Sequence, residues 1–311
     1  MIREAMKSMR FIFGASQPIV ATEDGVRIEL PVPLLSGKRD ARIANLEPDA
    51  HTVHLDHGAT ICDSRLLAGA LCIPDPYPLA EQTRQAYETV IRSCQDYALV
   101  RIWNYVPHIN QHTGDLEAYR AFCKGRSEAF ADHQLAMPAA SAVGIHHPFL
   151  IIAFIATRDP VVHVENPEQV PAYCYPDTYG PRPPSFSRAS LIHGGDGRTR
   201  AFVSGTAAIK GHASMYSGSL ADQVEVTLDN LSIMQREVAK HRSGMPESCK
   251  PLLGDTTIYI RKPDHAAEII RMLDSKDLLS PTSRVVHADI CRAELLVEIE
   301  TQDPDIAAPS A

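Results

Sequence analysis

Residues 291–300, CRAELLVEIE, end in an alternation of apolar and acidic side chains. Successive side chains of a β-strand point to opposite faces, so Val297 and Ile299 share one face and Glu298 lies on the other. A buried carboxyl has a raised pKa and can exchange a proton near neutral pH, whereas a glutamate on a solvated face does no chemistry. The alternation alone favours the solvated face.

Cysteine and histidine are the other residue types here that could do chemistry. Cys291 lies seven residues before Glu298 but has no base partner readable from the sequence, so a covalent thiol mechanism is not implied. The seven cysteines are scattered without a CxxC pair, which predicts reduced thiols in the cytoplasm. The histidines at 51–57 and 146–147 are interpreted as loop residues, so we predict no metal site.

Length and charge exclude several classes of protein. The 311 residues can form one large domain or two ordinary ones. The net charge of -8 argues against a nucleic-acid partner. The longest apolar run, residues 149–156, has the length of a strand, and residues 1–16 do not form a secretion signal. We therefore expect a cytoplasmic protein without a membrane span.

A weak internal repeat organises the chain. The helical stretches 80–94 and 221–235 both begin with alanine, an acidic residue and glutamine. A strand, a second helix and two further strands follow each one. These elements are predicted at 98–106, 115–130, 141–145 and 149–156, and again at 256–262, 264–273, 285–290 and 294–300. Short strands with one apolar face and two covering helices predict an α+β fold of two tandem two-layer sandwiches.

The two halves are joined by residues 171–190, PAYCYPDTYGPRPPSFSRAS. Proline fixes φ and donates no ladder hydrogen bond, so this stretch is predicted to be a rigid, extended connection. Spacer linkers are usually rich in Gly and Ser, whereas this one carries tyrosine and arginine. That composition indicates a loop folded over a site.

Three segments resemble the RidA/YjgF family: residues 80–88, 219–231 and 296–300. The resemblance implies small chorismate-mutase-like α+β units that form homotrimers with ligand sites between subunits. Two fused units would give an N-terminal domain over 1–160, a loop over the active site at 161–197 and a C-terminal domain over 198–311. In such an architecture the face carrying Glu298 lines a cleft rather than solvent.

Most of the chain shows a narrower resemblance, to the chorismatase family. The similar segments are RIWNYVPHIN (101–110), YRAFCKGRSEAF (119–130), YPDTYGPRPPSFSRAS (175–190), FVSGTAAIKGHAS (202–214) and CRAELLVEIE. The resemblance implies cleavage of the enolpyruvyl ether of chorismate with release of pyruvate, and no cofactor. The absence of a GxGxxG or P-loop motif agrees with this.

The same resemblance assigns roles to individual residues. Glu298 matches the family's acid/base glutamate. Cys291 and Gly205 match positions that separate product types, and their identities are similar to the branch that forms 3-hydroxybenzoate. Gly205 is also typical of a bulge or turn. Thr206 offers a hydroxyl and an amide to a carboxylate.

Chorismate has two carboxylates, which arginine binds best because its guanidinium can donate two parallel hydrogen bonds. Tyrosines of the proline-rich loop can pack against the ring. The predicted binding residues are Arg101, Arg126, Arg182, Arg188, Tyr175 and Tyr179.

Several alternatives remain open from the sequence. The chain could instead hydrolyse chorismate to a dihydroxycyclohexadiene carboxylate, or form both 3- and 4-hydroxybenzoate. It could also be a RidA-like enamine/imine deaminase or a binding protein without catalysis. A two-unit chain could act as a monomer or form a homotrimer.

Overall fold

The computed structural model describes residues 6–22, 25–242 and 254–303. The helices are α1 (Leu79–Ser93), α2 (Ala118–His133), α3 (Leu220–Ala239) and α4 (Ala266–Asp274). The strands up to the middle of the chain are β1 (Lys7–Phe13), β2 (Ile19–Ala21), β3 (Gly25–Leu30), β4 (Leu34–Gly37), β5 (Asp40–Leu46), β6 (His51–Leu55), β7 (Gly58–Cys62), β8 (Leu66–Pro74), β9 (Ala98–Pro107), β10 (His112–Thr113), β11 (Leu116–Glu117), β12 (Ala139–Ile145) and β13 (Phe149–Thr157). The later strands are β14 (Val161–Val164), β15 (Ala189–His193), β16 (Thr199–Ala207), β17 (Ile209–Lys210), β18 (Ala213–Ser214), β19 (Asp255–Ile260), β20 (Arg284–His287) and β21 (Val297–Gln302).

Two large sheets repeat the same strand order. The six-stranded sheet has the order β12-β9-β13-β8-β7-β6, and the seven-stranded sheet runs β20-β19-β21-β16-β15-β14, with β4 added at the β20 edge. Each sheet has a parallel pair at the equivalent place, β9 with β12 and β19 with β20. A helix follows each equivalent strand, since α1 follows β8, α3 follows β16, α2 follows β9 and α4 follows β19. The α+β class is confirmed, and the doubled order of elements is present in the sheets.

The helices cover the outer faces of the two sheets. One apolar cluster joins α1 and α2 to the six-stranded sheet, and another joins α3 and α4 to the seven-stranded sheet. A third cluster lies between the inner faces and includes the four-stranded sheet β2-β3-β1-β5. Within it the Trp103 ring lies 5.3 Å from the Phe11 ring and 6.2 Å from the Phe202 ring. The inner face of each sheet is therefore shielded from solvent, although its residues are not all apolar.

Strand pairings cross the predicted domain boundaries in two places. β14 and β15 fall within 161–197, which was predicted to be a loop, yet they extend the seven-stranded sheet. Neither segment, VVHV nor ASLIH, alternates strictly between apolar and polar residues, so periodicity gives no strand signal there. β4, from the predicted domain 1–160, pairs with β20 of the second half. The connecting loop itself covers residues 165–188.

The strand that contains Glu298 begins later than predicted, at Val297 rather than at residue 294. The guanidinium of Arg261 causes this, because it donates hydrogen bonds to the backbone carbonyls of Leu295, Ile290 and Arg292. These bonds hold residues 290–295 as a turn. Cys291 therefore lies in a turn that leads into β21.

Other predictions concern metals, thiols and membranes. Within 6–22, 25–242 and 254–303, no group of three or more His, Cys, Asp or Glu side chains could hold a metal ion. His51 and His54, predicted to be loop residues, lie in β6. Six cysteines are free thiols, and Cys249 lies outside the described residues. None of the described helices is long and apolar enough to cross a membrane.

α1 and α2 approach each other closely at Gly125. A Cβ atom at this position would lie 2.1 Å from the backbone oxygen of Ala80 in α1. The next residue in α2 is Arg126, whose side chain is buried. The missing side chain of Gly125 therefore sets how closely α1 packs against α2, the helix that carries Arg126.

We predict that Gly125→Ala lowers the free energy of unfolding by about 1–3 kcal/mol, as overpacked sites do. Alanine normally stabilises a helix by about 1 kcal/mol relative to glycine, so a loss identifies the steric clash as the cause. Urea denaturation measures the effect. Gly195→Ala is the control, because a Cβ there meets no atom within 4 Å; equal stability of both variants would contradict the packing described.

Candidate active site

A cavity of about 430 Å³ lies where the inner faces of the two sheets meet α2 and the loop 165–188. This volume is within the range of about 300–1,000 Å³ that small-molecule sites occupy. Its walls come from β12, β16, β21, α2, the loop and the turn before β21. Seven of the residues predicted from the sequence line it: Glu298, Cys291, Gly205, Arg126, Arg188, Tyr175 and Tyr179.

Glu298 lies on the inner face of β21 and is only 4% exposed. No hydrogen bond or ion pair joins its carboxyl group to any residue in the described part of the chain. Burial, and next the negative charge of Glu300, raise the pKa of Glu298 to about 8, and the positive charges of Arg101 and Arg188 offset part of this increase. The carboxyl is therefore mostly protonated at neutral pH and able to donate its proton into the cavity.

Gly205 provides the space that this carboxyl occupies. A Cβ atom on Gly205 would lie 2.0 Å from Oε1 of Glu298 and 3.0 Å from Oγ of Ser141. The pairing of β16 with β21 shifts register between Val203 and Thr206, so the predicted bulge is present. The space at Gly205 is thus filled by the Glu298 carboxyl. The sequence did not indicate this contact.

A second glutamate of β21, Glu300, lies behind Glu298 on the same face and is 6% exposed. Its carboxylate accepts four hydrogen bonds. The donors are Arg101 Nη2 at 2.6 Å, Ser141 Oγ at 2.5 Å, Tyr259 Oη at 2.9 Å and Trp103 Nε1 at 3.2 Å. The two glutamates therefore have opposite environments, since the Glu298 carboxyl has no hydrogen-bond partner among the described residues and the Glu300 carboxylate is fully satisfied.

Two buried arginines line the cavity without a carboxylate partner among the described residues. Arg126 is 2% exposed, and its Nε and Nη2 atoms have no hydrogen-bond acceptor in the same part of the chain. Its guanidinium lies over the rings of Tyr87 and Phe130, at 5.3 and 5.5 Å. Arg188 donates to Tyr175 Oη at 2.8 Å and Val170 O at 3.3 Å, while its Nε atom has no acceptor among the residues that the structure describes. Both charges are available to an anionic ligand.

Cys291 lines the cavity beside these groups. Burial, and next the charge of Glu298, raise the pKa of its thiol to about 12. The thiol is therefore neutral at physiological pH and is not an activated nucleophile. It can act through its size and as a weak hydrogen-bond donor.

The tyrosines of the loop are fixed at one side of the cavity. The rings of Tyr175 and Tyr179 lie 5.4 Å apart, and Arg292 stacks on Tyr179 at 4.0 Å. Tyr179 Oη donates to the backbone oxygen of His212 at 2.8 Å, and Arg292 Nη1 donates to the same oxygen at 2.9 Å. These contacts tie the loop 165–188 to the β17–β18 hairpin and to the turn before β21.

Three predicted binding residues do not reach the cavity. Arg101 is 1% exposed and is paired with Glu300 behind the cavity wall. Arg182 is exposed and does not line the cavity. Thr206 points to the face opposite Gly205 and Ala207, because side chains alternate along β16, and its hydroxyl donates to Ser204 O.

The sequence did not indicate Arg120, Arg292 or Ser141, which also line the cavity. Arg120 lies six residues before Arg126 on α2, and this spacing does not place two residues on one face of a helix, so the periodicity gave no signal for it. Arg292 follows Cys291 directly. Ser141 lies in a strand of small and apolar residues and gives no signal of its own.

Comparison with known proteins places the chain in a family. The family description "Chorismatase FkbO/Hyg5-like, N-terminal" matches residues 47–156. A 3-hydroxybenzoate synthase of Streptomyces hygroscopicus is 32% identical over 276 residues, covering 84% of this chain and 78% of the relative. A chorismatase of the same organism is 37% identical over 234 residues, covering 71% and 67%. A chorismatase crystal structure superposes with a TM-score of 0.81 at 28% identity, over 97% of this chain and 94% of the other. The identity to these relatives over most of both chains, together with the likeness in fold, shows that the chain belongs to the chorismatase family.

Proposed function

We propose that this protein converts chorismate to 3-hydroxybenzoate and pyruvate. The observation that carries the proposal is the Glu298 carboxyl, which is buried, without a partner among the described residues, in a cavity that also contains buried arginines with unpaired N–H groups. One of the relatives of the chain carries the name 3-hydroxybenzoate synthase, and another is named a chorismatase.

Arg126 and Arg188 bind the two carboxylates of chorismate. Each has at least one buried N–H group without an acceptor in the described part of the chain, and a carboxylate supplies what is missing. The two residues lie on different elements, α2 and the end of the loop 165–188, so they can bind carboxylates at separate positions on the substrate. Binding at two points fixes the orientation of the ring.

Glu298 donates its proton to the methylene carbon of the enolpyruvyl group. Protonation there makes the side chain a better leaving group, because positive charge develops at the carbon attached to the ether oxygen. The proton is present while pH is below the raised pKa of about 8 and is lost as pH rises through that value. Activity therefore declines on the alkaline side.

The hydroxyl on ring carbon 4 then displaces the ether oxygen at carbon 3. The bond between carbon 3 and the ether oxygen breaks, its electrons leave with pyruvate, and an epoxide forms on the ring. The hydroxyl loses its proton as the epoxide forms, and this proton restores the acid form of Glu298. The epoxide then opens at carbon 4, carbon 3 loses its ring proton, and the oxygen that stays on carbon 3 takes up a proton, which gives 3-hydroxybenzoate. The atoms of chorismate are thus divided completely between 3-hydroxybenzoate and pyruvate, and neither water nor an oxidant is consumed.

The neutral thiol of Cys291 lies near Glu298 and assists or shapes the opening of the epoxide. Attack by water on the protonated side chain would instead give the dihydroxycyclohexadiene carboxylate. We favour the first outcome because the loop 165–188 and its tyrosines cover one side of the cavity, which limits access of water. Gly205 contributes by leaving room for the Glu298 carboxyl.

Each half of the chain is proposed to be a RidA/YjgF-like unit, on the basis of the repeated strand order. The cavity is lined by residues of both halves of one chain, so a single chain supplies the groups named above. A monomer is therefore sufficient for the proposed reaction, whether or not the protein forms a trimer.

Free thiols at the six described cysteines suit a reducing compartment such as the cytoplasm.

We predict that the purified protein forms 3-hydroxybenzoate and pyruvate in equal amounts from chorismate, as measured by liquid chromatography. Glu298→Gln keeps the shape of the side chain but cannot donate the proton, so the turnover rate should fall by a factor of about 10²–10⁴. A variant as active as the wild type would refute the role of Glu298. Chorismate binding without turnover by the wild type would refute the proposed activity.

Arg126→Met should raise KM for chorismate by a factor of about 10–100, the loss expected when a charged hydrogen bond to a carboxylate is removed. The fold should persist, because Arg126 has no ion pair in the described structure that the substitution would break. Steady-state kinetics measure the effect. Arg182→Met, which removes an exposed arginine of the loop, serves as the matched control and should leave KM unchanged.

A further inference from the structure

The buried carboxylate Glu300 is not used in the reaction described above, although it lies next to the group that donates the proton. Glu298 and Glu300 are two positions apart on β21, so their side chains share a face and their Cα atoms are about 7 Å apart. Glu300 does not line the cavity. Its four donors come from β9, β12 and β19, which surround it on the inner faces of both sheets.

The four groups around Glu300 all donate hydrogen bonds to its carboxylate oxygens. A carboxylate that accepts several hydrogen bonds and pairs with a guanidinium is stabilised as the anion. Arg101, Trp103 and Tyr259 all donate to it, and none of them can rotate away, because all are buried. The negative charge of Glu300 is therefore fixed in position.

Ser141 connects this network to Glu298. Its hydroxyl donates to Glu300 Oε2 at 2.5 Å, and its oxygen accepts from the backbone N–H of Gly205 at 2.9 Å. Gly205 is the residue whose missing side chain accommodates Oε1 of Glu298. The position of the Glu298 carboxyl is thus set by a chain of contacts that begins at Glu300.

We propose that Glu300 is a positioning residue for chorismate cleavage, a fixed negative charge that holds Glu298 in place and keeps it in its acid form. The proposal rests on the proposed function of Glu298 as the proton donor. Glu300 itself touches no substrate, because it lies behind the cavity wall.

The charges that face Glu298 are consistent with this role. Glu300, on the same strand, opposes the ionisation of Glu298, and its effect is second only to that of burial. Arg101 on β9 and Arg188 before β15 favour ionisation and have smaller effects. The Cys291 thiol of the turn is neutral, as are the phenols of Tyr105 and Tyr259, whose pKa values burial raises. Of the two groups in the buried ion pair, Glu300 therefore has the greater influence.

Titration of the Glu298 carboxyl tests the proposal directly. Infrared difference spectra of the wild type against Glu298→Gln isolate the signal of the protonated carboxyl, and the spectra are recorded from acid to alkaline pH. In the wild type this signal should persist to about pH 8. In Glu300→Gln it should disappear about one pH unit lower, the ordinary size of such a displacement in proteins. The alkaline limb of the kcat profile should move by the same amount.

Glu300→Asp is the matched control, because it keeps the charge but changes the shape. If Glu300 acts through its charge, the aspartate variant should titrate closer to the wild type than the glutamine variant does. If Glu300 only supports the packing, glutamine, which keeps the shape of the side chain, should shift the titration of Glu298 less than aspartate does. That order of the two variants, or equal titration in all three proteins, would overturn the proposal.

Glu300→Gln could fail to fold, because it leaves the Arg101 guanidinium buried beside a neutral partner. The double variant Arg101→Met/Glu300→Gln removes both charges and avoids this cost. Its Glu298 signal should also disappear at lower pH than in the wild type, since Glu300 has the larger effect of the pair. An unchanged signal in the folded double variant would overturn the proposal.

The infrared titration does not depend on turnover, so the two hypotheses can fail separately. Failure of the proposed function gives no pyruvate from chorismate with the wild type, whatever the titration shows. Failure of the positioning role gives an active wild type whose Glu298 titrates at the same pH with and without the charge at position 300.

Discussion

The site depends on a carboxyl group, that of Glu298, which is buried without a hydrogen bond from any described residue. An unsatisfied buried polar group costs about 1–3 kcal/mol, so the surrounding structure must hold it in place. Three features do so for Glu298: the two sheets on either side, the space left by Gly205 and the network of Glu300 behind it. The same burial that costs stability keeps the group protonated, and a protonated acid is what the chemistry requires.

The doubled topology explains how one chain can create such an interior. Each sheet has helices on one face only, and the two uncovered faces are turned toward each other. Packing them together hides Arg101 and Glu300 from water in the middle of the molecule, where their pairing is strong. At one end of this interior the sheets leave a cavity, which α2 and the loop 165–188 close with arginine and tyrosine side chains.

The sequence predicted those parts of the site that depend on local pattern. Helical periodicity and strand alternation located α1 to α4 and placed Glu298 and Glu300 on one face, and the composition of the loop indicated that it covers a site. Whether that face is exposed to solvent or buried depends on the contact between the two sheets, and no local sequence pattern contains this information. The family resemblance indicated that the face is buried. The same limit explains why Arg101 was predicted to bind the substrate although it pairs with Glu300, because Glu300 is 199 residues away in the chain. Thr206 was misplaced for a simpler reason, since strand alternation excludes it once Gly205 is in the cavity.

The central claim is that two glutamates on one strand face hold different protonation states at neutral pH, and neutron diffraction observes this directly. A crystal exchanged into deuterated buffer near neutral pH should show a deuterium on the Glu298 carboxyl and none on Glu300. Arg101, Ser141 and Tyr259 should each point a deuterium at Glu300. A bare Glu298 carboxylate, or a deuterium on Glu300 instead, would contradict the account.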